Sequence, residues 1–457
     1  MKDLKDKSVV ILGFGVEGQS TFNVLKKLFP DKTDIAIADK NIIKKIPANI
    51  KTYFGENYLN SVSEYDIIIK APGIPLDGLP VKKLNSQTQA FLKAAANKTI
   101  GVTGTKGKGT TAKLIHTILI QNPVFKDLLL VGNIGTPAYE AYINNESASQ
   151  FVYELSAQQL ETASISPHIA IALDTVIDHM DHFHTFERYL AAKERITIFQ
   201  NNNDYFIYNI DLKNPKLFAK KTAAKLITVS LTSDEVEVFC KNGQIFAPGF
   251  YNGEITTVEH IKKTLPGKFN LNNVLPAIAA TLLAGANPEE INSGIAAFVG
   301  QLYRFDKIYV KEKDITFYNA PISTVPEVTI AHLETLKGEV DTVILGGIDR
   351  GSDYSILAEY LCKNKIQNLI LFPSTGQKIK DLIIQLNYKY PSYNPTLYEI
   401  QSNTPEESTK KAVEIAFKLT GPGKSCLYSP AAASFGLFAN YIHRGSLFEA
   451  AIKEYLS

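Results

Sequence analysis

The 457-residue chain has little cysteine: Cys240, Cys362 and Cys426 are scattered and odd in number. That excludes a disulfide framework and a cysteine-built zinc site, and it suits a reducing compartment. No run approaches the roughly eighteen apolar residues that a membrane-crossing helix needs, and the opening MKDLKDKSVV has no apolar signal core. The expectation is a cytoplasmic, soluble protein without membrane insertion. An excess of one charge sign is missing too. Lys+Arg 48 against Asp+Glu 46 leave a net +2, which argues neither for nor against a nucleic-acid partner; none is expected. Internal repeats and low-complexity tracts are absent, and no exposed interface pattern stands out, so a monomer is expected. What is present, 45% hydrophobic and 21% charged residues, is ordinary for a globular protein. The length exceeds one core and suggests about three domains.

The chain is organised around Thr99–Gln121, TIGVTGTKGKGTTAKLIHTILIQ. A short β-prone run ends at Val102. Gly104, Thr105, Lys106, Gly107, Lys108, Gly109, Thr110 and Thr111 form a glycine-rich turn. Leu114, Ile115, Ile118 and Leu119 then give one apolar stripe of a helix. Strand, glycine turn and helix make a phosphate cradle, with backbone N–H groups and the helix N-terminus facing the anion. Lys108 would meet the β/γ-phosphates of ATP, and Thr110 or Thr111 would reach Mg2+. The strict pattern is broken twice, by Val102 where it has Gly and by Gly109 where it has Ser or Thr. The plainer reading is a surface turn with a solvated lysine pair.

Before this stretch, Ser8–Leu12 reads as a buried strand, followed by Gly13, Phe14, Gly15, Val16, Glu17 and Gly18, a helix, a strand Ile35–Ala38 and Asp39. Taken alone, that is the dinucleotide fingerprint and suggests NAD. With the strand Tyr65–Lys70 it makes a parallel α/β domain over 1–97. In a second domain, 98–299, a strand Leu128–Val131 is followed by a tight turn holding Asn133, and further strands end at Glu154 and Leu173. Ligands bind beyond the carboxyl ends of parallel strands, so these residues and the glycine turn are expected at one crevice. The heptad Asp178-His179-Met180-Asp181-His182-Phe183-His184 matches no standard zinc spacing; a polar loop is the plainer reading. Oxygen ligands suit magnesium, with His179 helping to hold it. Tyr189–Ile198 reads as a helix whose Lys193 is, by local pattern, a surface lysine. Gln200–Thr256 reads as short strands and turns. A third α/β unit, 300–457, alternates strands with Ala320–Pro326, Gly346–Gly351 and Ser429–Phe435.

Together the motifs TGTKGKGTT (103–111), GNIG (132–135), YELSAQQLE (153–161), DHMDHF (178–183), YLAAKERI (189–196), NLNN (270–273) and SPAAASF (429–435) resemble the Mur ligases along the whole chain, most closely the branch that adds glutamate. The resemblance implies an α/β fold of three domains: Rossmann-like, a central P-loop-type ATPase, and a C-terminal Rossmann-like domain. It implies an ATP-dependent amide ligase that adds glutamate, D-glutamate by default, to UDP-N-acetylmuramoyl-L-alanine through an acyl phosphate. Gly13, Phe14, Gly15, Gly18 and Asp39 would then hold the UDP-substrate rather than NAD, with Asn133 near the muramoyl part. Lys108, Glu154, His179 and Lys193 would be catalytic. Thr110, Glu154, His179 and a carbamylated Lys193 would serve Mg2+. Asn270, Asn273 and Arg304 would contact ATP. Arg350, Ser434, Phe435 and Tyr441 would hold glutamate.

Departures leave alternatives open. After Asn319 the D-glutamate branch has Asp-Ser-Lys-Ala-Thr, and this chain has Ala320-Pro321-Ile322-Ser323-Thr324. An acid and a lysine are gone, and Arg350 would take the carboxylate load. ISTVPEVTI and GGIDRGSDY look more like a sister group that adds L-glutamate. Gly109 favours folylpolyglutamate synthase; the GFGVEG domain and SPAAASF oppose it. An NAD oxidoreductase leaves Lys108, Glu154 and His179 idle. A non-catalytic partner of the lipid II amidotransferase would carry a cysteine-rich insert that three scattered cysteines cannot make.

Overall fold

The computed structural model describes residues 4–43, 46, 50–133, 136–299, 303, 305–401, 404–434 and 437–456, without the side chain of Lys268. The chain forms two compact units. One comprises 1–176, 182–265 and 270–299; the other comprises 177–181, 266–269 and 300–457.

The first unit holds two sheets. One is built from β1 (Val9–Leu12), β2 (Ile35–Asp39), β3 (Lys51–Phe54), β4 (Ile67–Lys70) and β5 (Leu84–Asn85) in the order 3-2-1-4-5. Every pairing is parallel. Val9–Leu12 is buried on both faces, and a continuous apolar run is what a central parallel strand requires. The other contains β6 (Thr99–Thr103), β7 (Leu129–Gly132), β8 (Phe151–Glu154), β9 (Ile169–Ala172), β10 (Tyr205–Asn209), β11 (Lys225–Ser230), β12 (Val238–Lys241), β13 (Gln244–Phe246) and β14 (Glu254–Thr257). Its order is 14-13-12-11-10-9-6-8-7. It is parallel from β7 to β12, and an antiparallel β12-β13-β14 ribbon ends it. Ile115, Ile118, Val274, Ile278 and Ile295, on the helices Lys108–Leu119, Leu271–Leu283 and Pro288–Ala297, share one core with Ile100, Val102 and Ile171 of its strands.

The second unit holds β15 (Asp306–Val310), β16 (Ile315–Asn319), β17 (Val340–Gly347), β18 (Asn368–Ser374), β19 (Thr396–Glu399) and β20 (Lys424–Tyr428) in the order 15-16-20-17-18-19. Among the described strands of this sheet, only the β15-β16 pair is antiparallel. Parallel strands with helical crossovers make the α/β class expected from the sequence. No described helix is long and apolar enough to cross a membrane.

Two helices differ from expectation. The helix around Lys193 runs Phe186–Glu194, because Thr185 caps it by accepting from Arg188 N at 3.2 Å; the signal was a threonine before an apolar periodic run. Within Gln200–Thr256, Lys213–Ala219 is helical. Its Pro215 lies in the first turn, where the missing N–H costs no helix bond.

Candidate functional site

In the first unit, β6 ends at Thr103 and the turn Gly104–Gly107 leads into the helix Lys108–Leu119. Gly107 is the N-cap at φ 85, and a Cβ there would stand 2.0 Å from Asn273 Oδ1. Only glycine meets both demands. Asn273 Nδ2 donates to Asn270 Oδ1 at 3.2 Å, so the asparagine that faces the turn is bonded to the other predicted nucleotide asparagine. Lys108 Nζ donates to Gly104 O at 3.1 Å and Thr105 O at 3.0 Å. Thr110 and Thr111 are buried in the helix's first turn.

The strands beside β6 bring their carboxyl ends to this turn. Val102 pairs with Glu154, Thr103 with Ala172, and Gly132 with Glu154. The glycine turn, Asn133, Glu154 and Leu173, whose N–H donates to Thr103 O at 2.9 Å, thus share the carboxyl edge of this sheet. Asn133 is exposed, and its N–H donates to Glu154 O at 3.4 Å. Glu154 is 5% exposed, and its Oε2 has no hydrogen-bond partner among the described residues. A buried carboxylate oxygen left open costs free energy unless a cation or donor completes it.

Lys193 is 1% exposed, which corrects the surface-lysine reading drawn from local pattern. Its Nζ donates to Gly104 O at 2.7 Å and lies 4.7 Å from the Tyr189 ring centroid. Tyr189 OH lies 3.0 Å from Thr105 Oγ1, and Thr105 Oγ1 also accepts from Val176 N at 3.0 Å. The helix thus reaches the glycine turn through two side chains one turn apart. Tyr189 went unread in the sequence; its spacing of four from Lys193 was the available signal.

At the other sheet, Asp39 holds the first glycine turn. Its Oδ2 accepts from Phe14 N at 2.7 Å and its Oδ1 from Asn41 N at 2.8 Å. A Cβ on Gly18 would stand 2.1 Å from Gly13 O, whereas a Cβ on Gly15 would meet nothing within 4 Å. Behind this turn lies a buried charged cluster that sequence reading missed. Lys70 Nζ stands 2.6 Å from Glu161 Oε1, and His182 Nε2 is 3.1 Å from Glu161 Oε2. Burial pulls the Lys70 ammonium below its ordinary range, and Glu161 pushes it back. Burial raises the Glu17 carboxyl to about 7, opposed by a hydrogen bond from Gln159 and by Lys70.

In the second unit, His179 stands at φ 59 and its N–H donates to Asp178 Oδ1 at 2.9 Å. Its Nδ1 lies 3.5 Å from Arg350 Nη1. The histidines of the heptad thus have separate partners, His184 pairing with Asp77 at 2.8 Å. No group of three or more His, Cys, Asp or Glu able to hold a metal occurs among the described residues. Ser434 lines a cavity of about 210 Å³ with Gly346, Gly347, Ile348, Phe372 and Phe438. Tyr441 is half-buried at the start of the helix Tyr441–Leu456. Arg304 and Phe435 lie outside the described residues.

Known proteins resemble this chain at both levels. Residues 102–281 match the Mur ligase middle domain. The chain is 30% identical over 472 residues to the UDP-N-acetylmuramoylalanine–D-glutamate ligase of Caldanaerobacter subterraneus subsp. tengcongensis, covering 99% of both chains. It is 31% identical over 469 residues to the enzyme of that name from Ruminiclostridium cellulolyticum, covering 98% of this chain and 97% of the other. The fold is similar to UDP-N-acetylmuramate–alanine ligase from Thermotoga maritima at 15% identity and TM-score 0.61, covering 98% and 100% of the two chains. It is also similar to the MurF ligase from Thermotoga maritima, solved in complex with ADP, at 13% identity and TM-score 0.56, covering 100% and 97%.

Proposed function

The chain belongs to the Mur ligase family, and we propose that it joins glutamate, the D-isomer by default, to UDP-N-acetylmuramoyl-L-alanine at the expense of ATP, in peptidoglycan precursor synthesis. Its relatives carry the name of that activity at full length. The observation that carries the reading is the glycine turn Gly104–Gly107 at a helix N-terminus, beside the buried and open Glu154 Oε2. One element offers donors to a phosphate chain; the other offers a hard oxygen to its cation.

A carboxylate is a poor electrophile. In the proposed path the alanyl carboxylate takes the γ-phosphoryl group of ATP, and ADP leaves. The glutamate amine adds to the acyl carbon, and phosphate leaves from the tetrahedral intermediate. Backbone N–H groups of 104–109 and Lys108 position the phosphates, and Asn270 and Asn273 hold the nucleotide side, as Arg304 would. Thr110, Glu154 and His179 would hold Mg2+, with Lys193 as a carbamate. When bound there, Mg2+ would supply neutralisation of charge developing on the phosphoryl oxygens. Gly13, Phe14, Gly15, Gly18, Asp39 and Asn133 bind the UDP-substrate; Arg350, Ser434, Phe435 and Tyr441 bind glutamate. The proposed domains are 1–97, 98–299 and 300–457, and the acting unit is a cytoplasmic monomer. The Ala320–Thr324 replacement supports L-glutamate as the second reading.

The test is phosphate release with ATP, Mg2+, UDP-N-acetylmuramoyl-L-alanine and either glutamate isomer. Turnover with D-glutamate is expected, and turnover with L-glutamate alone selects the second reading. Lys108→Ala is expected to lower kcat/KM by at least about 100-fold. Undiminished turnover by that variant would sink the mechanism.

A further inference from the structure

Thr105, the second residue of the turn Gly104–Gly107, is buried and bonded at its nitrogen, its carbonyl and its hydroxyl. Its N–H donates to Asp174 O at 2.8 Å, and its carbonyl accepts from Lys108 Nζ at 3.0 Å. Its Oγ1 donates to Val176 O and accepts from Val176 N, each at 3.0 Å. Tyr189 OH stands 3.0 Å from the same Oγ1. A threonine hydroxyl has one proton and two lone pairs. The Val176 carbonyl can only accept, so the proton is spent there, and the Val176 N–H takes one lone pair. The phenol of Tyr189 must therefore donate to the other. Tyr189 is 1% exposed on the helix Phe186–Glu194. Its ring centroid lies 5.3 Å from that of Phe183 and 4.7 Å from Lys193 Nζ. A phenylalanine would keep these ring contacts and lose one donor. Lys193, one helical turn on, donates to Gly104 O at 2.7 Å. The helix thus pins two consecutive residues of the turn, Gly104 through an amine and Thr105 through a phenol.

We propose that Tyr189 is a positioning residue for the nucleotide phosphates: its O–H holds Thr105, and through Thr105 fixes the turn Gly104–Gly107 in the shape that receives them. The assignment rests on the nucleotide-binding part of the ligase reading and deepens it. Glycine allows the turn its shape and also leaves it the most backbone freedom to lose that shape. Gly104 stands at φ 151 and Gly107 at φ 85, so Thr105 lies between two such hinges. Backbone N–H groups hold an anion well when they converge on it before it arrives. The bonds to Asp174 and Val176 join Thr105 to the segment that follows β9, and Tyr189 ties it to a separate helix. The turn is thereby braced from two elements. Tyr189 acts through Thr105 and is assigned no contact with the ligand.

The test uses the full-length protein and direct binding, so that it does not depend on turnover. Kd for ATP with Mg2+ is measured by calorimetry, and Kd for adenosine by NMR titration, for wild type and Tyr189→Phe. The variant should bind ATP about tenfold more weakly, the equilibrium counterpart of one hydrogen bond. It should bind adenosine within about twofold of wild type, since adenosine has no phosphate to place. A parallel loss for ATP and adenosine is the mark of a merely structural tyrosine and overturns the proposal. A double-mutant cycle then locates the partner. Added to Thr105→Val, Tyr189→Phe should change Kd for ATP by less than about twofold. Added to Thr105→Ser, which keeps the hydroxyl, it should keep its full effect. The opposite pattern in either pair overturns the route through Thr105. If Thr105→Val does not fold, the contrast between ATP and adenosine in Tyr189→Phe decides alone. Failure of wild type to bind ATP overturns the nucleotide-site reading together with this one; binding by wild type that Tyr189→Phe leaves unchanged overturns this assignment alone.

Discussion

The turns Gly13–Gly15 and Gly104–Gly107 both leave a parallel strand and enter a helix, and both sit at the carboxyl edge of a sheet. They are held from opposite sides. The second is walled by protein: Leu173 presses on Gly104 and Asn273 on Gly107. The first is tethered from below by Asp39 through Phe14 N, and Gly15 faces open space. The helix after the second turn has no acid in its first turn, whereas the helix after the first has Glu17 there. A carboxylate at that place would oppose a bound diphosphate; burial raises the Glu17 carboxyl to about 7, which lessens its charge at and below neutral pH. Gly13, at φ 86 and with the place of a Cβ 2.8 Å from Ala71 Cβ, is held by protein as Gly104 and Gly107 are, and Gly15 alone of these faces open space.

The sharpest way to break the comparison is Gly107→Ala. The residue stands at φ 85, and its new methyl would meet Asn273 Oδ1. Left-handed strain and the displaced asparagine together should cost about 1–3 kcal/mol. Phosphate release should fall by at least about 100-fold, since the backbone donors move with the turn, and the melting temperature should drop. A variant as stable and active as wild type would show that the second turn is not walled as described.

Next in size is Glu17→Gln. A carboxyl whose folded value is raised from 4.5 to about 7 leaves stability intact at low pH. As pH climbs past 4.5 the unfolded chain ionises and the folded one resists, so stability is lost across the window from 4.5 to about 7. Glutamine removes that loss. The variant should gain about 1–3 kcal/mol at pH 8 and much less at pH 5, read by urea unfolding at both. An equal gain at both pH values would mean that charge is not the cause.

What the sequence made legible follows a physical line. Apolar runs such as Val9–Leu12 and Ile169–Ala172 announce buried parallel strands, and glycines mark the turns that require them. Lys193 hid because AAKER looks like a solvated helix face; its burial depends on Gly104, 89 residues away. Lys70 and Glu161 hid for the same reason, since their pairing spans two sheets and no local pattern encodes it. Arg444 gave no signal at all, because what singles it out is burial with two nitrogens left without a partner among the described residues, which no local pattern encodes. The histidine-rich heptad matches no standard zinc spacing, and its histidines, close in sequence, have different partners in space.

The smallest expected change in stability belongs to Gly15→Ala, and it is the cleanest probe of the ligand side. Gly15 is the N-cap of Val16–Leu28 at φ −70 and ψ −160, a conformation open to alanine. Alanine is a poorer cap than glycine by some tenths of a kcal/mol, while a less flexible unfolded chain offsets a similar amount. Stability should therefore stay within about 0.5 kcal/mol of wild type. The methyl group enters the space above the helix N-terminus, where the diphosphate of the UDP-substrate would approach the backbone. KM for that substrate should rise about tenfold or more, with KM for ATP unchanged, because a crowded anion loses its short bonds to N–H groups. If KM for the UDP-substrate holds steady, the open face of the first turn is not where the substrate binds, and Gly15 is there for flexibility alone.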